Sequence, residues 1–269
     1  MPMRGIRRHI SLMRHTQLFS FAKNALWSLI VALLAIGSTS CKDEKDEPDN
    51  PLESKKEIPQ VSPDSYSVVI NSDGTATGGA VFSRLTERKF YIDYVLYQIS
   101  SSHLIIIGCD RAELPSKPKL YAEVTLEGAL YKTREISYGA FQYTDKIESI
   151  VIPKTVTTIG QYTFSNCTSL RSVTLPDGLT LMGEHCFREC SSLTSITLPD
   201  GLTSMGEYCF DGCNSLSRII FKSNLPFNVL NWRGLYSISS KPVAYVPKEF
   251  LTNYEQSKFA KCFSEIIGY

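Results

Sequence analysis

Five of the eight cysteines fall in a pattern that invites a metal. Three residues separate Cys186 from Cys190 and Cys209 from Cys213, and Cys167 precedes Cys190 by the same interval that divides Cys186 from Cys209. Four thiolates at such spacings could hold zinc, which takes sulfur ligands in a tetrahedron. The second pair, however, is the first moved along the chain by one such interval, and Thr163 stands where the other column would continue. Residues recurring at a fixed interval lie parallel when their segments stack, whereas metal ligands must converge. The expectation is a column of small buried side chains and no metal. Stacked strands keep equivalent Cβ atoms about 4.8 Å apart, outside the roughly 3.5–4.5 Å that a disulfide prefers, so mostly free thiols are predicted.

Other reactive residue types are scarce. Beyond residue 40 only His103 and His185 remain, and Tyr162 and Tyr208 occupy the places one period either side of His185. Neither histidine can be matched with a serine or cysteine nucleophile. No glycine-rich phosphate loop occurs, and Asp-Gly recurs only at Asp177-Gly178 and Asp200-Gly201, where it supplies turn chemistry. Paired carboxylates cannot be located from spacing, so glycoside hydrolysis has no positive support. No catalytic residue, metal or cofactor is assigned. The chain holds 28 basic and 27 acidic residues. Arg4, Arg7, Arg8, Arg14 and Lys23 all fall in the first forty residues, which carry no acid, so the remainder has about four more acids than bases. That balance argues against nucleic acid as a partner, because phosphate binding needs concentrated cations.

The elements that carry these residues follow from the interval itself. Segments Ile147–Ser169, Leu170–Ser192 and Leu193–Ser215 align without gaps, and the last two agree at 16 positions. A fourth begins at Leu216 and fades, and an irregular earlier one ends in Phe141, one period before Phe164. Ile150, Val173, Ile196 and Ile219 recur at the interval, as do Ile152, Leu175, Leu198 and Phe221. Alternation with polar neighbours makes each segment a short strand with one buried face. Pro153, Pro176 and Pro199 end those strands, since proline cannot donate to a ladder. Ile159, Met182 and Met205 turn inward again, and Phe164, Phe187 and Phe210 close the back of each coil. A period in the twenties points to a stacked coil of parallel strands, in which about three or more repeats are needed for stability.

The pattern L-x-x-I-x-[IL]-P…[IM]-G-x-x-[TC]-F-x-x-C resembles the BspA-type, or treponemal, leucine-rich repeat over residues 136–221. The resemblance implies a β-rich solenoid: a short right-handed leucine-rich-repeat coil with a parallel strand ladder. It also implies a surface or secreted protein, non-catalytic, several members of the family being regarded as adhesins. The candidate binding surface is the outward face of the strands, made of Glu148, Arg171, Thr194 and Ser217; Ser149, Ser172, Ser195 and Arg218; and Val151, Thr174, Thr197 and Ile220. These side chains are mostly small and polar, suit a modest protein contact on a host or microbial surface, and offer no aromatic anchor. A rival reading is a surface glycan-binding lipoprotein for nutrient capture. Its sugar platforms would be Trp232 and Tyr236, for which the favoured reading is a cap packed on the last coil.

The flanks complete the organisation. Basic residues up to Lys23, an apolar run from Ala25 to Ile36 and small residues before Cys41 make residues 1–40 a signal peptide. The run of about 12 residues is short of the roughly 20 that span a bilayer. Gly37-Ser38-Thr39-Ser40-Cys41 resembles the lipobox of bacterial lipoproteins, with Ser38 where Leu or Val is usual, and Lys42-Asp43-Glu44 resembles an acidic outer-membrane export tag. Together they imply lipidation of Cys41 and a membrane-held protein on the outer cell surface. Residues 41–63, charged and proline-rich, read as a disordered tether. Residues 64–123 read as a β-rich N-terminal cap, with strand composition at Tyr66–Ile70 and Phe90–Tyr97, a turn at Asn71–Gly74 and a buried strand at Leu104–Ile107. Residues 124–221 form the solenoid. Residues 222–269 form an α/β C-terminal cap, in which a strand runs into Pro247 and Phe250 and Tyr254 share a helical face.

Overall fold

The computed structural model describes residues 66–223, 238 and 240–269. The first part is a run of seven strands: β1 (Ser67–Ile70), β2 (Phe82–Arg84), β3 (Lys89–Ile92), β4 (Val95–Ile99), β5 (His103–Cys109), β6 (Glu123–Leu126) and β7 (Ala129–Ile136). Strands β2 to β5 form an antiparallel meander. Strand β5 then lies parallel to β7, while β6 folds back antiparallel on β7 and takes β1 in parallel on its other side. Period-two alternation puts Phe90, Ile92, Val95, Tyr97, Leu104 and Ile106 on one buried face.

The stretch Phe90–Tyr97, strand-like throughout in composition, is broken at its centre. Asp93 and Tyr94 adopt φ of 47° and 68°, and Ile92 sits opposite Val95, so the two residues form a tight hairpin turn. Such turns favour Asn-Gly, because both central residues need positive φ. Here side-chain bonds hold the conformation. The Asp93 carboxylate accepts the Val81 N–H at 2.8 Å and the Tyr121 hydroxyl at 2.7 Å.

From β7 onward the chain coils. The strands are β8 (Ser149–Val151), β9 (Thr158–Ile159), β10 (Ser172–Thr174), β11 (Leu181–Met182), β12 (Ser195–Leu198), β13 (Ser204–Met205), β14 (Arg218–Phe221), β15 (Val243–Val246) and β16 (Glu265–Gly268). They make two parallel ladders. One continues the N-terminal sheet as β5–β7–β9–β11–β13, so the meander closes the coil by direct strand pairing. The other, the front ladder, pairs β8 with β10 and runs β12–β14–β15–β16. The Thr194 N–H joins its two parts through a long bond to the Arg171 carbonyl at 3.4 Å. The result is a β-solenoid of about five turns. A single short α-helix among the described residues, α1 (Leu251–Glu255), precedes β16.

The interior is built of columns. Ile150, Val173, Ile196, Ile219 and Ala244 are buried in sequence behind the front ladder. Phe141, Phe164, Phe187 and Phe210 stack with centroids 5.3–5.8 Å apart and planes within 9° of parallel. Each such contact adds to the area it buries. At this back corner the chain has no strands, yet its backbone is satisfied. The Phe141, Phe164 and Phe187 N–H groups donate to the carbonyls of Thr163, Cys186 and Cys209 in the next coil, at 2.8–2.9 Å. Close approach demands glycine: a Cβ on Gly160 would meet the Tyr138 nitrogen at 2.7 Å, and one on Gly183 or Gly206 would overlap the backbone of the preceding coil more deeply.

The cysteines share that wall. The Sγ atoms of Cys167, Cys190 and Cys213 donate to the carbonyls of Phe141, Phe164 and Phe187, each at 3.1 Å. Cys209 donates to the Gly183 carbonyl at 3.1 Å, and Thr163 makes the equivalent bond to the Ser137 carbonyl at 3.0 Å. Threonine and cysteine share one column because both are small and carry a single donor. The seven described cysteines are free thiols.

Candidate binding surface

The front ladder brings the expected residues together. In-register pairing aligns Ser149 with Ser172 and Val151 with Thr174 on β8 and β10, and Ser195 with Arg218 and Thr197 with Ile220 on β12 and β14. Glu148, Arg171, Thr194 and Ser217 precede those strands and are exposed; Thr174 is also exposed, and the other seven are half-buried. All twelve therefore line one face. Their backbones cannot drift, since every strand is held on the interior side by a buried isoleucine or valine. At the edge, the Ser217 hydroxyl donates to the Thr194 carbonyl at 3.1 Å, tying two coils together.

The face is longer than the sequence pattern indicates. Strand β15 pairs Val243 with Arg218 and Tyr245 with Ile220, and β16 pairs Glu265 with Val243 and Ile267 with Tyr245. Val243, Tyr245 and Ile267 are half-buried and outward, so one column reads Thr197, Ile220, Tyr245, Ile267 and turns from polar to apolar. Tyr245 supplies the aromatic anchor that the repeats alone lack. The alternation in Val243–Val246 is the signal that marks it, but the steps from Ile220 to Tyr245 and on to Ile267 depart from the repeat interval, which hides the register.

Elsewhere the residues with chemistry are structural. His185 lies between the rings of Tyr162 and Tyr208, at 4.7 Å and 5.2 Å, and Tyr138 packs on Tyr162 at 5.5 Å. The His185 Nδ1 is buried and has no hydrogen-bond partner among the described residues. Tyr162, His185 and Tyr208 all adopt φ of 54–58°, a left-handed conformation that side chains other than glycine seldom take. His103 opens β5 and is half-buried. Burial pushes the thiols of Cys167, Cys209 and Cys213 up to about 12, and those of Cys186 and Cys190 well above their ordinary value, so none is a ready nucleophile. Among the described residues no group of three or more His, Cys, Asp or Glu is placed to hold a metal. Nor, among them, is any helix long and apolar enough to cross a membrane. Cys41, Trp232 and Tyr236 lie outside the described residues.

The BspA type leucine-rich repeat region matches residues 134–265, in six copies. The coil belongs to that family. The match takes in β15 and ends at the first residue of β16, so the BspA-type region extends past residue 221 and includes Ile220 and Tyr245. No curated protein matches the chain. Among solved structures, the pneumococcal vaccine antigen PcpA is 16% identical over 68% of this chain and 48% of its own, with a TM-score of 0.50, and supports the fold. A leucine-rich repeat protein from Bacteroides capillosus is 25% identical over 51% of this chain and all of its own, with a TM-score of 0.48. A leucine-rich cell surface protein from Faecalibacterium prausnitzii is 23% identical over 60% of this chain and 45% of its own, with a TM-score of 0.46.

Proposed function

We propose that this chain is a non-catalytic, cell-surface protein, lipid-anchored through Cys41 on the outer membrane, whose BspA-type coil binds a protein partner. The observation that carries the reading is the front ladder. Its strands hold one continuous outward face that grades from small polar side chains at β8 to Ile220, Tyr245 and Ile267. A rigid scaffold with an aromatic anchor flanked by small groups suits contact with another folded surface, where a few apolar residues supply most of the affinity. The family supports the location. The signal and lipobox-like segment before Cys41 support the anchor.

The test pairs surface plasmon resonance against a panel of purified extracellular proteins with three variants. Tyr245→Ala and Thr197→Arg are expected to weaken a bound partner about tenfold or more, the scale of losing one anchor residue. Tyr208→Ala, on the back corner, should leave binding unchanged. Equal affinity in all three would overturn the assignment of the face. For the anchor, Cys41→Ser should release the protein from the membrane fraction; retention there would refute lipidation.

A further inference from the structure

Three hairpin turns end side by side at one end of the N-terminal sheet. They join β2 to β3, β4 to β5 and β6 to β7, and they enclose a cleft of about 280 Å³. The cleft is built before any ligand arrives. The Leu85 and Thr86 N–H groups both donate to the Lys89 carbonyl at 2.9 Å, and the Thr86 hydroxyl accepts the Lys89 N–H at 3.0 Å. The Arg88 carbonyl is fixed by the Ile99 N–H at 2.8 Å, which locks the first turn to the second. Arg84 reaches Glu127 in the third turn at 2.7 Å, bracing the far side. Glu127 and Gly128 take φ of 52° and 81° in a two-residue turn between Leu126 and Ala129.

With the backbone committed, the side chains facing the cleft are not. Arg88, Glu87, Ser100, Ser101 and Tyr131 line it, and none of their side chains makes a hydrogen bond or ion pair among the described residues. Beneath them Leu126 is buried and Ile99 half-buried, giving an apolar floor. This set has a specific chemistry. A guanidinium offers two parallel donors and a carboxylate two acceptors, each able to take a pair of neighbouring hydroxyls. Single hydroxyls from serine and tyrosine give or accept one bond each. The floor suits the C–H face of a ring. A cleft just below the roughly 300–1,000 Å³ of small-molecule pockets holds one small ring and not an extended chain. Arg84 and Arg88 balance Glu87 and Glu127 in the lining, so the cleft has no excess positive charge to favour a phosphate.

We propose that the hairpin cleft binds a pyranose residue of a glycan, with Arg88 and Glu87 clasping its hydroxyls and Leu126 under its ring. The site shares no residue with the front ladder and does not depend on the protein-binding reading. On such a molecule the cleft and the ladder are separate sites with separate ligands.

Saturation-transfer-difference NMR on the full chain tests this, using the methyl glycosides of glucose, galactose and N-acetylglucosamine, and methyl glucuronide as the acidic arm. At least one should give transfer with an affinity on the order of millimolar. Arg88→Ala and Glu87→Gln, both exposed positions, should each weaken it about tenfold with an unchanged melting temperature. Preference for the glucuronide would place its carboxylate on Arg88, and preference for a neutral sugar would place a diol there; either supports the site. Absence of transfer from every glycoside, or transfer undiminished in both variants, overturns it. Tyr245→Ala serves as a control and should leave sugar binding intact.

Discussion

At the scale of single residues, the thiol wall makes a statement about pH. In an unfolded chain cysteine loses its proton near about pH 8.5. Folded, burial holds the protons of Cys167, Cys209 and Cys213 up to about 12, and those of Cys186 and Cys190 also well beyond the ordinary value. Below about pH 8.5 both states are protonated and the thiols give no pH dependence. Above it the folded state binds more protons than the unfolded one, so stability falls as pH rises. The buried hydroxyls of Tyr97 and Tyr254, also raised by burial, add the same sign at higher pH. Urea midpoints should therefore hold level from pH 6.5 to 8 and drop steadily to pH 10.5. Cys190→Ala should flatten that drop, and a midpoint constant to pH 10.5 would refute the account.

At the scale of elements, what decides the coil is how closely one turn sits on the next. Gly183 is fixed by that distance: a Cβ there would overlap Gln161 and Gly160 of the preceding coil. Gly178, in the turn after Pro176, would meet nothing nearer than the Lys154 carbonyl at 3.7 Å. Gly183→Ala is expected to cost about 2–3 kcal/mol, the scale of forced overpacking against backbone. Gly178→Ala should change stability by less than about 0.5 kcal/mol. Thermal melts of the two variants check the contrast; equal effects would mean the coils can move apart. The strand columns, the proline stops and the phenylalanine stack are all legible in the sequence, because each depends on side-chain type at a fixed interval. The hairpin at Asp93-Tyr94 is not. It rests on Val81 and Tyr121, far away in the chain, and composition alone continues the strand through it. The twelve face residues are legible for the same periodic reason, whereas Tyr245 and Ile267 escape because the last two rungs depart from the interval.

At the scale of the whole molecule, each coil is bonded chiefly to its neighbours, the Lys222–Asp177 ion pair at 2.7 Å being one contact that skips a coil, so stability is close to a sum over units and their contacts. Removing residues 170–192 deletes one whole period and joins Ser169 to Leu193, leaving every column in register. That deletion should fold, with the same circular dichroism shape and a lower melting temperature. Removing residues 170–181, about half a period, would turn the following strands out of register, and the product should not fold cooperatively. If both deletions behaved alike, the molecule would not be a stack of interchangeable coils. The ends are not interchangeable with the middle. The meander closes one end through β5 and β7. At the other end Ile266, the last member of the interior column after Ala244, is only half-buried.

The front and back of each coil are bonded chiefly to the coil beside it, as the links from Phe164 to Cys186 and from Ser217 to Thr194 illustrate. Under tension along the stacking axis, such a body has no single bond pattern that must fail all at once. It would unreel like thread from a spool, one winding at a time, each freeing roughly 75 Å of chain at about 3.3 Å per residue. A protein held to a cell at one end and gripped by a partner on its face would thus lengthen in steps under flow, keeping its grip on the windings that remain.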